Sequence, residues 1–235
     1  MRGRPHAVGP ALVKKEEVGL MEKWMHLATA WELMSLAFLP LRREVSEALA
    51  AGEFEGACGE CLEALGIDGA AVIELLSGYA DADADAAYHE LRRGQTSLFV
   101  GVHRPLVTPY LGVRDIEKRG GKGVLAIGKE SMAIERFMRE RGVAKNLALG
   151  QSNDPVDHIG TVCEFLKLLC LVNARAVAAP TGFEIAEGDY ELFLREHFVE
   201  YAAWCSTELQ EKSCTPFYQA MGIMLGLLVE SDVGA

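Results

Sequence analysis

A chain of 235 residues with 50% hydrophobic and 24% charged side chains can bury a substantial core, which sets aside the disordered and fibrous classes. One compact unit or two small lobes is the expectation. The net charge of −11 argues against a nucleic-acid binder, because phosphate-backbone affinity comes from clustered Lys and Arg releasing counterions. A cationic peptide suits this balance better, although an acidic balance also serves solubility alone.

The N-terminus, Met1-Arg2-Gly3-Arg4-Pro5, is basic, but Lys14, Lys15, Glu16 and Glu17 interrupt any apolar run that an export signal requires. From Leu27 the residues Trp31, Met34 and Phe38 recur at steps of four and three, which predicts one buried helical stripe. Pro40 breaks that helix and suits the start of a second, carrying Val45 and Leu49 and ending near Gly52. Short helices are predicted at about 55–65 and 69–78, separated by Gly66 and Asp68-Gly69, then another at about 83–97.

Between Phe99 and Val124 the residues Gly101, Pro105, Pro109, Gly112 and the Gly120-Gly121-Lys122-Gly123 cluster predict a long ordered loop, with regular helix denied to most of it. The cluster lacks the full phosphate-loop pattern and no strand precedes it, so it reads as a flexible turn. Helical spacing returns at about 130–141. It is predicted again over 155–178, as one long helix, and over 187–211 and 215–230. The last tract, Ala220 to Val229, is about half the roughly 20 residues needed to cross a bilayer. A soluble, cytoplasmic, all-α protein is expected, an irregular bundle of about eight to ten helices.

Six cysteines, at 58, 61, 163, 170, 205 and 214, fall mostly in apolar helical patterns, which suits a reducing compartment. Cys58 and Cys61 form a lone C-x-x-C without the second half of a zinc site, so packing on one helical face is the reading. The histidines at 26, 89, 103, 158 and 197 show no metal-holding spacing. There is no G-x-S-x-G elbow or dinucleotide fingerprint either, so neither catalysis nor a cofactor is expected.

The most informative stretch is Asn153-Asp154-Pro155-Val156-Asp157-His158-Ile159. Asp154 can cap a helix opened by Pro155, and Asp157 places a second carboxylate near unpaired amides. His158 then falls in the first turn, where a charged imidazole is unfavourable, so a neutral, hydrogen-bonded ring is expected.

The run Asp154 to Ile159, with Glu164-Phe165-Leu166 and Leu169, resembles the P-D-H-I and E-F signature of the TorD/DmsD/NarJ chaperones. Upstream, Leu98-Phe99-Val100-Gly101, Pro105-Leu106-Val107 and Pro109-Tyr110 resemble that group's L-F-x-G and P-Y segment. Downstream, Glu196-His197-Phe198, Tyr201 and Phe217-Tyr218 resemble its C-terminal pattern. The resemblance covers about residues 25–230. Gln95 stands where members often carry an aromatic, and Leu111-Gly112 stands where an acidic residue and a serine are common.

The resemblance implies a chaperone that holds the twin-arginine signal peptide of a molybdenum-cofactor oxidoreductase precursor and delays export until the cofactor is inserted. Its site would combine the carboxylates Asp154, Asp157 and Glu164 with Leu98, Phe99, Gly101, Pro105, Pro109 and Tyr110 as walls, and with Pro155 and His158. The expected layout is an N-terminal extension at 1–24, a helical lobe at 25–142, a linker at 143–156 and a second lobe at 157–235. A monomer is expected, with lobe exchange between copies as the alternative. The competing reading is a helical small-molecule sensor, which predicts a closed pocket in place of a groove.

Overall fold

In the computed structural model, which describes residues 10–121, 128–144 and 155–233, the stripe begun by Leu27 becomes the buried side of one long helix, α1 (Pro10–Phe38). The helices α2 (Arg43–Ala50), α3 (Glu53–Ala64), α4 (Ala70–Ser77) and α5 (Ala84–Phe99) follow. Next come α6 (Leu111–Lys118), α7 (Lys129–Glu140) and α8 (Ile159–Asn173). A rod then runs from α9 (Asp189–Phe193) through a π-helical turn at Leu194–Phe198 into α10 (Val199–Lys212), and α11 (Pro216–Val233) closes the order. Every regular element among the described residues is helical, as expected from the absence of alternating strand patterns.

Burial of aromatic side chains organises the packing. Trp31 is fully buried on α1, and its indole N–H donates to the Tyr190 hydroxyl on α9 at 2.9 Å, so the largest fully buried side chain keeps its one polar group satisfied. Trp24 meets Tyr190 edge-on at 5.1 Å, and Trp31 meets Phe198 at 5.8 Å. A single hydrophobic core runs from Trp24 to Val229. Helix α1 lies along α8 and α4 packs on α11, so helices from both expected lobes contribute to that core.

Pro40 ends α1 as predicted, but the next helix opens at Arg43 and not at the proline. The reason is a side chain from α5. The Gln95 amide accepts from Leu41 N–H at 3.3 Å and donates to the Leu39 carbonyl at 2.8 Å, so the crossing backbone is satisfied without helical turns. A buried glutamine serves this corner where an aromatic ring could not.

The predicted helix over 155–178 is shorter at both ends. It starts at Ile159, because His158 is held extended in a bridge to Tyr110, and it stops at Asn173, shortly before Arg175 turns left-handed (φ 57°). Asp154, its expected cap, lies outside the described residues. The predicted loop over 99–124 contains α6. The helix predicted over 187–211 is interrupted by its π turn, a form that concentrates at functional sites.

Cys58 and Cys61 face the core on α3 as packing residues, and the Cys61 thiol donates to the Cys58 carbonyl at 3.3 Å. Burial pushes both thiols up, Cys61 to about 11, so neither forms a thiolate readily near neutrality. Of the six cysteines only Cys214 is exposed. Native protein is therefore expected to react with Ellman's reagent at one thiol and urea-unfolded protein at six; rapid labelling of a second native thiol would contradict the packing reading.

Candidate functional site

The two stretches singled out around residues 98–110 and 154–164 meet in a short backbone junction. Ile159 N–H donates to the Pro109 carbonyl at 2.8 Å, Leu111 N–H donates to the Asp157 carbonyl at 3.1 Å, and Tyr110 and His158 form an isolated antiparallel bridge. Their rings meet edge-on at 5.3 Å.

Asp157 holds this junction from within. It is 1% exposed, and its Oδ2 accepts from Gly112 N–H at 2.8 Å and from the Ser131 hydroxyl at 2.7 Å. Gly112 lies in the first turn of α6 and Ser131 in the first turn of α7, so two helix N-termini face one carboxylate. Their positive dipole ends offset part of the cost of burying it, and it forms no salt bridge among the described residues. Asp157 therefore caps α6, not the helix that follows it in sequence, and this explains why α6 forms inside a stretch rich in Pro and Gly. A side chain at Gly112 would displace Ser131, because a Cβ there would lie 2.0 Å from Ser131 Oγ. The Ser131 hydroxyl thus occupies the space that a side chain at position 112 would take.

His158 is the N-cap of α8, and its Nδ1 accepts from Gly160 N–H at 3.1 Å. That bond requires Nδ1 to be unprotonated, which makes the ring neutral. Among the described residues no group of His, Cys, Asp or Glu is arranged to hold a metal ion.

Of the other residues expected to form a peptide groove, Leu98 is 1% exposed and Pro109 is buried, so both serve as scaffold. Phe99 packs edge-on against Phe38 at 5.7 Å and Tyr218 at 5.6 Å. Pro105 and Tyr110 are half-buried, and Pro155 and Glu164 are exposed. Gly101 lines a pocket with Arg92, Arg93, Arg104, Val102 and Leu106, so cations stand beside apolar side chains on a loop that was expected to supply apolar walls.

Carboxylates gather instead across the junction, in a cleft between α6, the start of α7 and the π turn. Asp115, Glu130, Glu196 and Glu200 line it together with Arg114, Lys118, Arg195 and His197, over a floor of Leu111, Phe198 and Tyr201. The Glu196-His197-Phe198 motif lies in the π turn, which turns His197 toward Glu130 with Nδ1···Oε1 at 2.7 Å. Tyr201 donates to the Thr108 carbonyl at 2.8 Å, and Arg114 lies over the Trp204 ring at 4.4 Å. The ion pairs Lys118–Glu200 and Arg119–Asp115 are solvent-exposed on at least one side, so exchanging a partner costs little. Sequence spacing could not find Asp115, Glu130 and Glu200, since each reads locally as an ordinary helix-surface acid.

Residues 62–206, from α3 to α10, match the protein family described as Nitrate reductase delta subunit. The chain belongs to this family. The nitrate reductase delta subunit family lies in the TorD/DmsD/NarJ group of molybdoenzyme maturation chaperones, and its members act on molybdoenzyme subunits. The matched span takes in the whole junction between 109–112 and 157–160, the Ser131–Asp157 bond and the π turn. No curated protein sequence matches the chain. Among its described residues, no helix of this family member is long and apolar enough to cross a membrane.

Proposed function

We propose that the chain is a non-catalytic cytoplasmic chaperone that receives the twin-arginine leader of a molybdenum-cofactor oxidoreductase precursor in the cleft between α6 and the π turn. Holding the leader there delays export until the cofactor has been inserted. The observation that carries this reading is a cleft lined by four carboxylates and the E-H-F stretch, whose Leu111 is tied by a backbone hydrogen bond to the junction of the P-Y and D-H-I stretches.

An arginine-bearing leader needs paired carboxylates for its guanidinium groups and an apolar wall for the segment that follows. Asp115, Glu130, Glu196 and Glu200 supply the first; Leu111, Phe198 and Tyr201 supply the second. The protein is proposed to act as a monomer.

Titration calorimetry with a synthetic twin-arginine leader tests the assignment. The double variant Asp115→Lys/Glu200→Lys is expected to weaken binding at least about tenfold, equivalent to roughly 1.4 kcal/mol. Unchanged affinity in a variant of normal helicity overturns the cleft as the site. Loss on Glu164→Lys instead would move the leader to the outward face of α8.

A further inference from the structure

We infer that the loop joining α5 to α6 carries a second docking site, for a polypeptide segment in which carboxylates alternate with apolar side chains. The site is the pocket of about 640 Å³ over which Arg92 and Arg93 project from α5 and Arg104 from the loop. None of the three guanidiniums forms a salt bridge among the described residues. In a chain with 34 acidic and 23 basic residues, three neighbouring cations left unpaired are a marked local reversal of charge.

The apolar half of the surface is equally specific. Val100 is 62% exposed, Val102 93% and Leu106 49%, so three aliphatic side chains within one short loop face solvent, and Val102 and Leu106 line the pocket with the arginines. Isolated exposed aliphatics are ordinary, whereas a cluster rimmed by charge marks a contact surface.

The loop is also fixed in place. Gly101 N–H donates to the Thr96 carbonyl at 2.8 Å and Val107 N–H to the Leu98 carbonyl at 2.9 Å. Gly101 adopts φ 66°, and a Cβ there would lie 1.9 Å from the Arg104 carbonyl oxygen, so the turn is closed too tightly for any side chain. A segment docking here meets a preformed surface and loses less entropy than one that must order the loop.

Charge complementarity selects an acidic partner, and the exposed valines and leucine select a polypeptide over a phosphate polymer. A nucleic acid would bring its charge against a protein of net −11 and would gain little from aliphatic side chains. A twin-arginine leader is repelled at this site, so the two surfaces sort ligands by the sign of their charge. The inference stands apart from the leader-binding reading.

Fluorescence anisotropy with a short labelled peptide alternating Glu and Leu tests it. Binding is expected to the wild-type protein, to weaken at least about tenfold in Arg92→Glu/Arg93→Glu, and to weaken when serine replaces each leucine of the peptide. Arg104→Glu, on the loop, gives an independent variant should the double substitution disturb α5, and far-ultraviolet circular dichroism reports the fold of both. Absence of binding, retention of binding in folded variants, or equally tight binding of a short oligothymidylate or of tripolyphosphate overturns the inference.

Discussion

Replacing Asp157 by alanine is expected to lower stability by about 3 kcal/mol, because a buried carboxylate takes part in two charge-assisted hydrogen bonds whose donors are then left unpaired. Gly112 N–H and the Ser131 hydroxyl would each lose their acceptor in a region without solvent. Urea denaturation should show a lower midpoint with little change in slope, the signature of lost stability without a change in compactness. Asp157→Asn retains one acceptor oxygen for both donors and is expected to lose about half as much. A loss below about 1 kcal/mol for the alanine variant would refute the capping role.

The second expectation concerns the exchange of a side chain between α6 and α7. Gly112→Ser alone forces a Cβ to within 2.0 Å of Ser131 Oγ and 2.9 Å of Asp157 Oδ2, an overpacking expected to cost about 1–3 kcal/mol. Ser131→Ala alone removes a hydrogen bond to a charged group and is expected to cost about 1.5–3 kcal/mol. The double variant Gly112→Ser/Ser131→Ala vacates the blocked space and supplies a hydroxyl from the neighbouring helix. It should therefore be more stable than the sum of the single losses implies, by at least about 1 kcal/mol. Strictly additive losses in the thermodynamic cycle would show that the two positions do not compete for one space.

These two expectations also mark where local sequence stopped being informative. The stripe of Leu27, Trp31, Met34 and Phe38, and the helices at 53–64, 70–77, 84–99, 129–140 and 216–233, follow from spacing and punctuation that lie within each segment. Helix α6 was hidden because its cap is 45 residues downstream, and no reading of Pro109-Tyr110-Leu111-Gly112 alone reveals it. The start of α8 was misplaced for the same reason: Asp157 was assigned to the nearest helix in sequence when its partners belong to α6 and α7.

For the candidate site, the meeting of the two motif stretches was expected from the family resemblance alone, and spacing revealed neither it nor the roles of their residues. Leu98 follows Leu91 and Gln95 at steps of four and three on the inward face of α5, so its burial was available from periodicity. The acids of the cleft were not, since charge on a helix surface looks the same whether it faces open water or a shared groove.

An eight-residue helix is marginal by itself in water, and α6 relies on a carboxylate that leaves the ribosome 45 residues later. The cleft thus cannot settle during synthesis until the chain has been extended past residue 201, because the π turn and Tyr201 form its other side. On the proposed leader-binding role, readiness to accept a ligand becomes a property of the nearly finished polypeptide, so a newborn molecule does not engage a client before its own interior is complete.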